Sequence, residues 1–86
     1  MIPTDPDLCA AIRMTLAECG NRPLLPGALH TYCRPALRVP HTLADLQAHL
    51  YQLEERGEVR RHANPDAPEI LSWSLTEAGK QRALQQ

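Results

Sequence analysis

The sequence has no phenylalanine, two tyrosines and one tryptophan, so aromatic packing cannot dominate its interior. Leucine and alanine must fill most of the core, and that composition favours helix. No apolar run approaches the roughly 20 residues that span a bilayer. The first seven residues have neither the basic nor the apolar region of a signal peptide. A cytoplasmic chain without membrane contact is therefore expected. Cysteine is also sparse: Cys9, Cys19 and Cys33 are odd in number and show no C-x-x-C spacing, which argues for reduced thiols rather than a disulfide framework or a zinc knuckle. His30 and Cys33 lie one helical turn apart, but two further ligands at a suitable spacing are missing, so no metal or other cofactor is expected. A Gly-rich phosphate loop and a nucleophile motif are absent, and the nearest thing to paired carboxylates is the adjacent Glu54 and Glu55. No catalysis is expected.

What remains is enough for one domain, residues 1–86, with a modest core that a partner subunit would help to stabilise. The net charge of -1 lacks the basic footprint usual in a nucleic-acid binder. Its distribution is uneven, however. Arg34, Arg38, Arg56, Arg60 and Arg61 all fall between residues 30 and 62, as do His30, His41, His49 and His62, against Asp45, Glu54, Glu55 and Glu58.

Local signals divide the chain into elements. Thr4 or Asp5 caps a first helix over about Asp7 to Cys19, with Leu8, Ala11, Ile12, Leu16 and Cys19 at helical spacing and Gly20-Asn21 as its stop. Pro26 opens a short second helix that runs to Cys33, and Pro35 forces Arg34 out of helical geometry. The proline-rich link that follows has room for one helical turn. Thr42 and Asp45 form a variant capping box, opening a third helix over about 42–56. Its Leu43, Leu46, Leu50 and Leu53 form an apolar stripe, with Ala44, Ala48, Gln52 and Glu55 on the opposite side and Gly57 at the end. A strand begins at Val59, and "NPDAP" makes a turn-rich tip. Leu71, Trp73 and Leu75 then alternate with Ser72 and Ser74 as a half-buried strand must, giving a 59–75 hairpin. Thr76 caps a last short helix, whose only apolar face is Ala78, Ala83 and Leu84.

Three helices, a two-stranded hairpin and a short C-terminal helix make an α+β, mainly helical winged helix-turn-helix plan. The stretch "LADLQAHLYQLEERGEVRRHANPDAPEILSWSLTEAG" resembles the recognition helix, wing and post-wing segment of bacterial transcriptional regulators of the MarR and PadR kind. Leu53, Glu54 and Gly57 match that family's Leu-Glu-x-x-Gly element; Val59, Arg60 and Arg61 match its Val and basic residues; Leu75, Thr76 and Gly79 match its Leu-Thr-x-x-Gly. The resemblance covers about Thr42 to Leu84. The long terminal helices that make the MarR dimer interface are lacking, so neither dimerisation by that route nor ligand sensing beside it is expected.

The resemblance implies double-stranded DNA as partner, with the third helix in the major groove and the hairpin as wing. His41, Thr42, Ala44, Ala48 and Gln52 are then the groove-facing candidates, and Arg60, Arg61 and His62 on the wing, with Arg34 and Arg38 before the helix, are the phosphate candidates. Asp45 either folds back to the Thr42 amide as a cap or accepts from a cytosine amino group. Trp73 either fills the core or stacks on a base, and its alternation with serines favours the core. Tyr32 falls on the expected buried side of the second helix with Leu25, Leu29 and Cys33 but stays ambiguous, as does Tyr51, which lies near the edge of the third helix's apolar stripe and is open to phosphate or a dimer mate. A homodimer is inferred from small size and thin helix faces. The alternative reading is a winged-helix protein–protein interaction module, or a small subunit of a larger complex, to which the net negative charge points.

Overall fold

Asp5 starts the first helix by accepting from the Asp7 amide at 2.9 Å, with Pro6 where a missing N–H costs nothing. The computed structural model of the protein describes residues 4–20 and 22–85. Its elements are α1 (Pro6–Glu18), α2 (Pro26–Cys33), a 3₁₀ turn (Arg34–Ala36), α3 (Leu43–Glu55), β1 (Val59–Asn64), β2 (Ala67–Leu75) and α4 (Glu77–Leu84). Gly20 takes φ 66° just past α1, as its stop signal requires; Asn21 lies outside the described residues. The architecture is that of a winged helix: a helical trio, an antiparallel hairpin pairing Val59 with Leu75 and Arg61 with Trp73, and a short closing helix.

One core joins these layers. Leu8, Ile12 and Leu16 of α1 meet Leu29 and Cys33 of α2, Leu46, Leu50 and Leu53 of α3, and Val59, Trp73 and Leu75 of the hairpin. Each buried leucine stabilises the fold by about 2 kcal/mol, and Trp73 supplies the bulk that the absent phenylalanines would have given. Leu43 corrects the sequence expectation: it is 40% exposed, because the first residue of α3 overhangs the packed stripe. The hairpin is also sutured to the segment before α2, where Leu24 and Trp73 exchange both backbone hydrogen bonds at 2.8 Å.

Arg34 is a second correction. It keeps right-handed helical angles, φ -51° and ψ -46°, despite the following Pro35. The steric bias against helix before proline is outweighed because α2 tightens into a 3₁₀ turn, closed by the Leu37 amide donating to the Arg34 carbonyl. Pro35 occupies the first turn, where no amide donor is needed.

The junction between α3 and the hairpin is the most tightly specified part. Gly57 at φ 75° lets its own amide reach Glu54 and the Glu58 amide reach Leu53, both at 2.9 Å, the paired bonds of a Schellman stop. The Glu58 carbonyl then accepts from the Thr76 amide at 3.0 Å. Its carboxylate is buried against Arg13 of α1. Gly79 closes the knot: a Cβ there would collide with the Glu58 carbonyl and the Leu75 side chain. The expected apolar face of α4 is thereby corrected in detail, since the glycine makes the close packing, Ala78 is exposed, Ala83 is half-buried and Leu84 is 80% exposed.

Candidate nucleic-acid interface

The outer face of α3 follows from which side is buried. Leu46, His49, Leu50 and Leu53 point inward, and at 3.6 residues per turn the opposite stripe is Ala44, Gln47, Ala48, Tyr51 and Glu55. Of these all but the half-buried Ala48 are exposed. Thr42 caps the helix: its hydroxyl accepts from the Asp45 amide at 3.1 Å and its amide donates to the Asp45 carboxylate at 3.2 Å. The Thr42 amide bond is the main reason that the Asp45 carboxyl sits below its ordinary 3.8. The capping role proposed for Asp45 is thus its geometry here, and its charge is turned back on the backbone.

Two sequence candidates on this helix are engaged elsewhere in the fold. Gln52 accepts at 2.9 Å from the Thr4 hydroxyl, which turns it toward the start of α1 instead of the outer stripe. The His41 ring is held by the Asp5 carboxylate at 2.7 Å, and its backbone carbonyl is held by the His30 ring at 2.6 Å. Burial opposes the Asp5 charge, but the Asp7 amide and His41 outweigh it and keep the carboxyl below its ordinary value. His49, unassigned from sequence, is buried beneath: its Nδ1 donates to the Asp45 carbonyl at 2.7 Å and its Nε2 accepts from the Asp5 amide at 3.0 Å. This polar network ties the start of α1 to the start of α3.

The cations around α3 divide into paired and unpaired. Arg61 is clasped by both oxygens of Glu54, at 2.8 and 2.6 Å. Its guanidinium lies 5.5 Å from the Tyr51 ring and 5.9 Å from that of Trp73, while the two rings meet edge-on at 5.6 Å. Tyr51 is therefore part of the clasp joining helix to wing, and Trp73 is in the core. His62 bonds the Ser74 hydroxyl at 2.8 Å on the other face of the hairpin. Arg34, Arg38 and Arg60 are exposed and, among the described residues, form no ion pair. Arg34 and Arg38 line a groove of about 450 Å³ that reaches His41. The arrangement thus presents a small, mostly uncharged helix face, with unpaired Arg34 and Arg38 on the link before it and unpaired Arg60 on the hairpin face turned away from α3.

Gln47 is the residue that sequence reasoning passed over. It is exposed on the second turn of α3, beside a groove of about 250 Å³ whose walls include Leu25, Tyr51 and Ile70. The clue was its spacing, three residues from Ala44 and four from Tyr51. Among the described residues no group of histidine, cysteine and carboxylate side chains is placed to hold a metal, and His30 and Cys33 gain no further ligand. Among the described residues no helix is long and apolar enough to cross a membrane.

Comparison with solved structures returns transcriptional regulators. A probable transcriptional regulator from Pseudomonas aeruginosa matches with 26% identity and a TM-score of 0.68, over 92% of this chain and 53% of that one. BldR from Sulfolobus solfataricus matches with 24% identity and a TM-score of 0.69, over 91% and 50%. A variant of MepR from S. aureus, bound to an oligodeoxyribonucleotide, matches with 13% identity and a TM-score of 0.76, over 91% and 52%. The chain thus spans about half the length of the structures it matches. These neighbours are winged-helix regulators of the MarR kind, so the fold agrees with the motif resemblance. No family model matches the sequence, and no curated protein does.

Proposed function

We propose that the chain is the DNA-binding winged helix of a cytoplasmic, non-catalytic transcriptional regulator. In this reading α3 enters the major groove of double-stranded DNA, and the 59–75 hairpin lies across the neighbouring backbone. The observation that carries it is the outer stripe of α3, exposed and bare of internal partners in its first turns among the described residues, with unpaired Arg34 and Arg38 on the link before it and unpaired Arg60 on the outer face of the wing. Ala44 and Ala48 allow close approach and suit thymine methyl groups, and the arginines act through release of counterions from phosphate. His41, Thr42, Gln52, Arg61 and His62 then serve by shaping the surface, since each already has a partner within the chain. Residues 1–86 act as one domain, and two copies would read half-sites on one duplex face.

Fluorescence anisotropy of a mixed-sequence duplex, titrated at low and then physiological salt, tests this. The expected result is micromolar or tighter binding that falls steeply with salt. No binding at low salt would sink the reading. A second reading, a protein-interaction module, draws on the exposed Leu25, Tyr51 and Ile70 beside the α3–hairpin groove. Co-purification of a partner, with no duplex affinity, would favour it.

A further inference from the structure

We propose that Gln47 selects an adenine in the DNA site, its side-chain amide reading the N6 and N7 edge in the major groove. This rests on the DNA-binding reading above and deepens it. Selecting adenine in the major groove calls for a group that both donates and accepts, free of internal bonds, on the outer face near the start of the inserted helix. The Thr42 hydroxyl is spent on the cap, the His41 ring on Asp5, and the Gln52 carbonyl oxygen on Thr4. Asp45 is folded back to the Thr42 amide. Glu55 is a carboxylate at the last turn, where phosphate repels it. Gln47 alone keeps an unengaged amide on the exposed face of the first two turns, among the described residues.

Its surroundings fit the task. On the outer stripe Ala44 and Ala48 carry nothing longer than a methyl, so the helix axis can approach until a glutamine amide spans the edge of one base, with the part-exposed Leu43 one turn before Gln47. Tyr51, one turn further on, is held by Trp73 and Arg61 and walls the groove beside Gln47. An amide fits adenine in two parallel hydrogen bonds, donating to N7 and accepting from the N6 amino group; guanine offers two acceptors there instead. The flanking alanine methyls favour thymines at neighbouring positions. The half-site is therefore A·T-rich, with one adenine set by Gln47.

Selection from a duplex library with randomised bases, followed by sequencing, separates the outcomes. Wild-type protein is compared with Gln47→Ala and Gln47→Glu, each checked for unchanged helicity, and enrichment is scored relative to each protein's own affinity for bulk duplex, which the added carboxylate of Gln47→Glu lowers. The wild type is expected to fix one A·T pair per half-site, with about tenfold loss on changing it to G·C. Gln47→Ala is expected to leave that position degenerate, and Gln47→Glu to move it toward cytosine, whose amino group a carboxylate accepts from. Bulk affinity with no enriched sequence, or the same sequence enriched by Gln47→Ala, overturns the role of Gln47 while leaving DNA binding intact. Absence of any duplex binding at low salt overturns the DNA reading and this inference with it.

Discussion

Glu54, near the end of α3, holds Arg61 of β1 through both carboxylate oxygens, at 2.6 and 2.8 Å. The same bonds, led by the Arg61 side-chain contact, keep the Glu54 carboxyl below its ordinary 4.5. An arginine so compensated has little charge left for phosphate, whereas Arg60, its neighbour on the opposite face of the strand, has no such partner. Arg60→Ala is therefore expected to weaken duplex binding and reduce the slope of log affinity against log salt by about one. Arg61→Ala should leave the slope nearly unchanged. Glu54→Gln should do the reverse of Arg60→Ala, tightening binding and steepening the slope as Arg61 is released. Equal slopes for the two arginine variants would refute this division of labour.

Arg13 and Glu58 form an ion pair whose side chains are 6% and 7% exposed, joining α1 to the turn before the wing. Removing Arg13 leaves the Glu58 carboxylate buried without its guanidinium. Arg13→Ala is expected to cost about 3–5 kcal/mol, and the double replacement Arg13→Met with Glu58→Leu to recover most of it. Urea denaturation of the three proteins checks this, and a loss below about 1 kcal/mol for Arg13→Ala would show the pair to be incidental.

Gly79 lies in the Leu-Thr-x-x-Gly element for want of space, not for backbone freedom, since Gly57 and Gly20 are the glycines at positive φ. A methyl group there meets the Glu58 backbone, which is pinned by Thr76 and cannot yield cheaply. Gly79→Ala is expected to destabilise the fold by about 1–3 kcal/mol, read as a lower thermal midpoint. A midpoint equal to wild type would mean that α4 slides without cost.

Local signals made most of this fold legible in the sequence. The Thr42–Asp45 box, the Gly57 stop, the alternation through Leu71, Trp73 and Leu75, and the Thr76 cap each act within a few residues, so each was readable in place. Contacts between distant residues were not. Arg13 and Glu58 are 45 positions apart, and Asp5 and His49 are 44 apart; nothing in either neighbourhood marks them as partners. The Leu24–Trp73 bridge rests on one of the two residues between Pro23 and Pro26. The exposed face of α3 was harder to draw, and Gln52 falls off it for a geometric reason. Each step of four residues overshoots a full turn by about 40°, so the series Ala44, Ala48, Gln52 drifts off the outer stripe, while Ala44, Gln47, Tyr51, Glu55 stays on it.

The acid limb of stability should report the cap of α3. Asp45 has its folded pKa lowered first by the Thr42 amide and then by the Thr42 side-chain hydrogen bond. A depressed carboxyl contributes stability that is complete above its unfolded value, 3.8 for Asp45, and is lost as pH falls through the lower folded value. Asp5 and Glu54 are shifted in the same direction, so their contributions fade on the same side. The thermal midpoint is therefore expected to be steady near neutrality and to drop as pH falls below the ordinary carboxyl values, 4.5 for Glu54 and 3.8 for Asp5 and Asp45. Asp45→Asn removes one titrating cap: its midpoint should be lower at neutral pH and should fall less steeply in acid. Thermal scans of both proteins across this range check the sign, and an Asp45→Asn curve parallel to that of wild type would mean that the carboxylate does not serve the helix as its hydrogen bonds indicate.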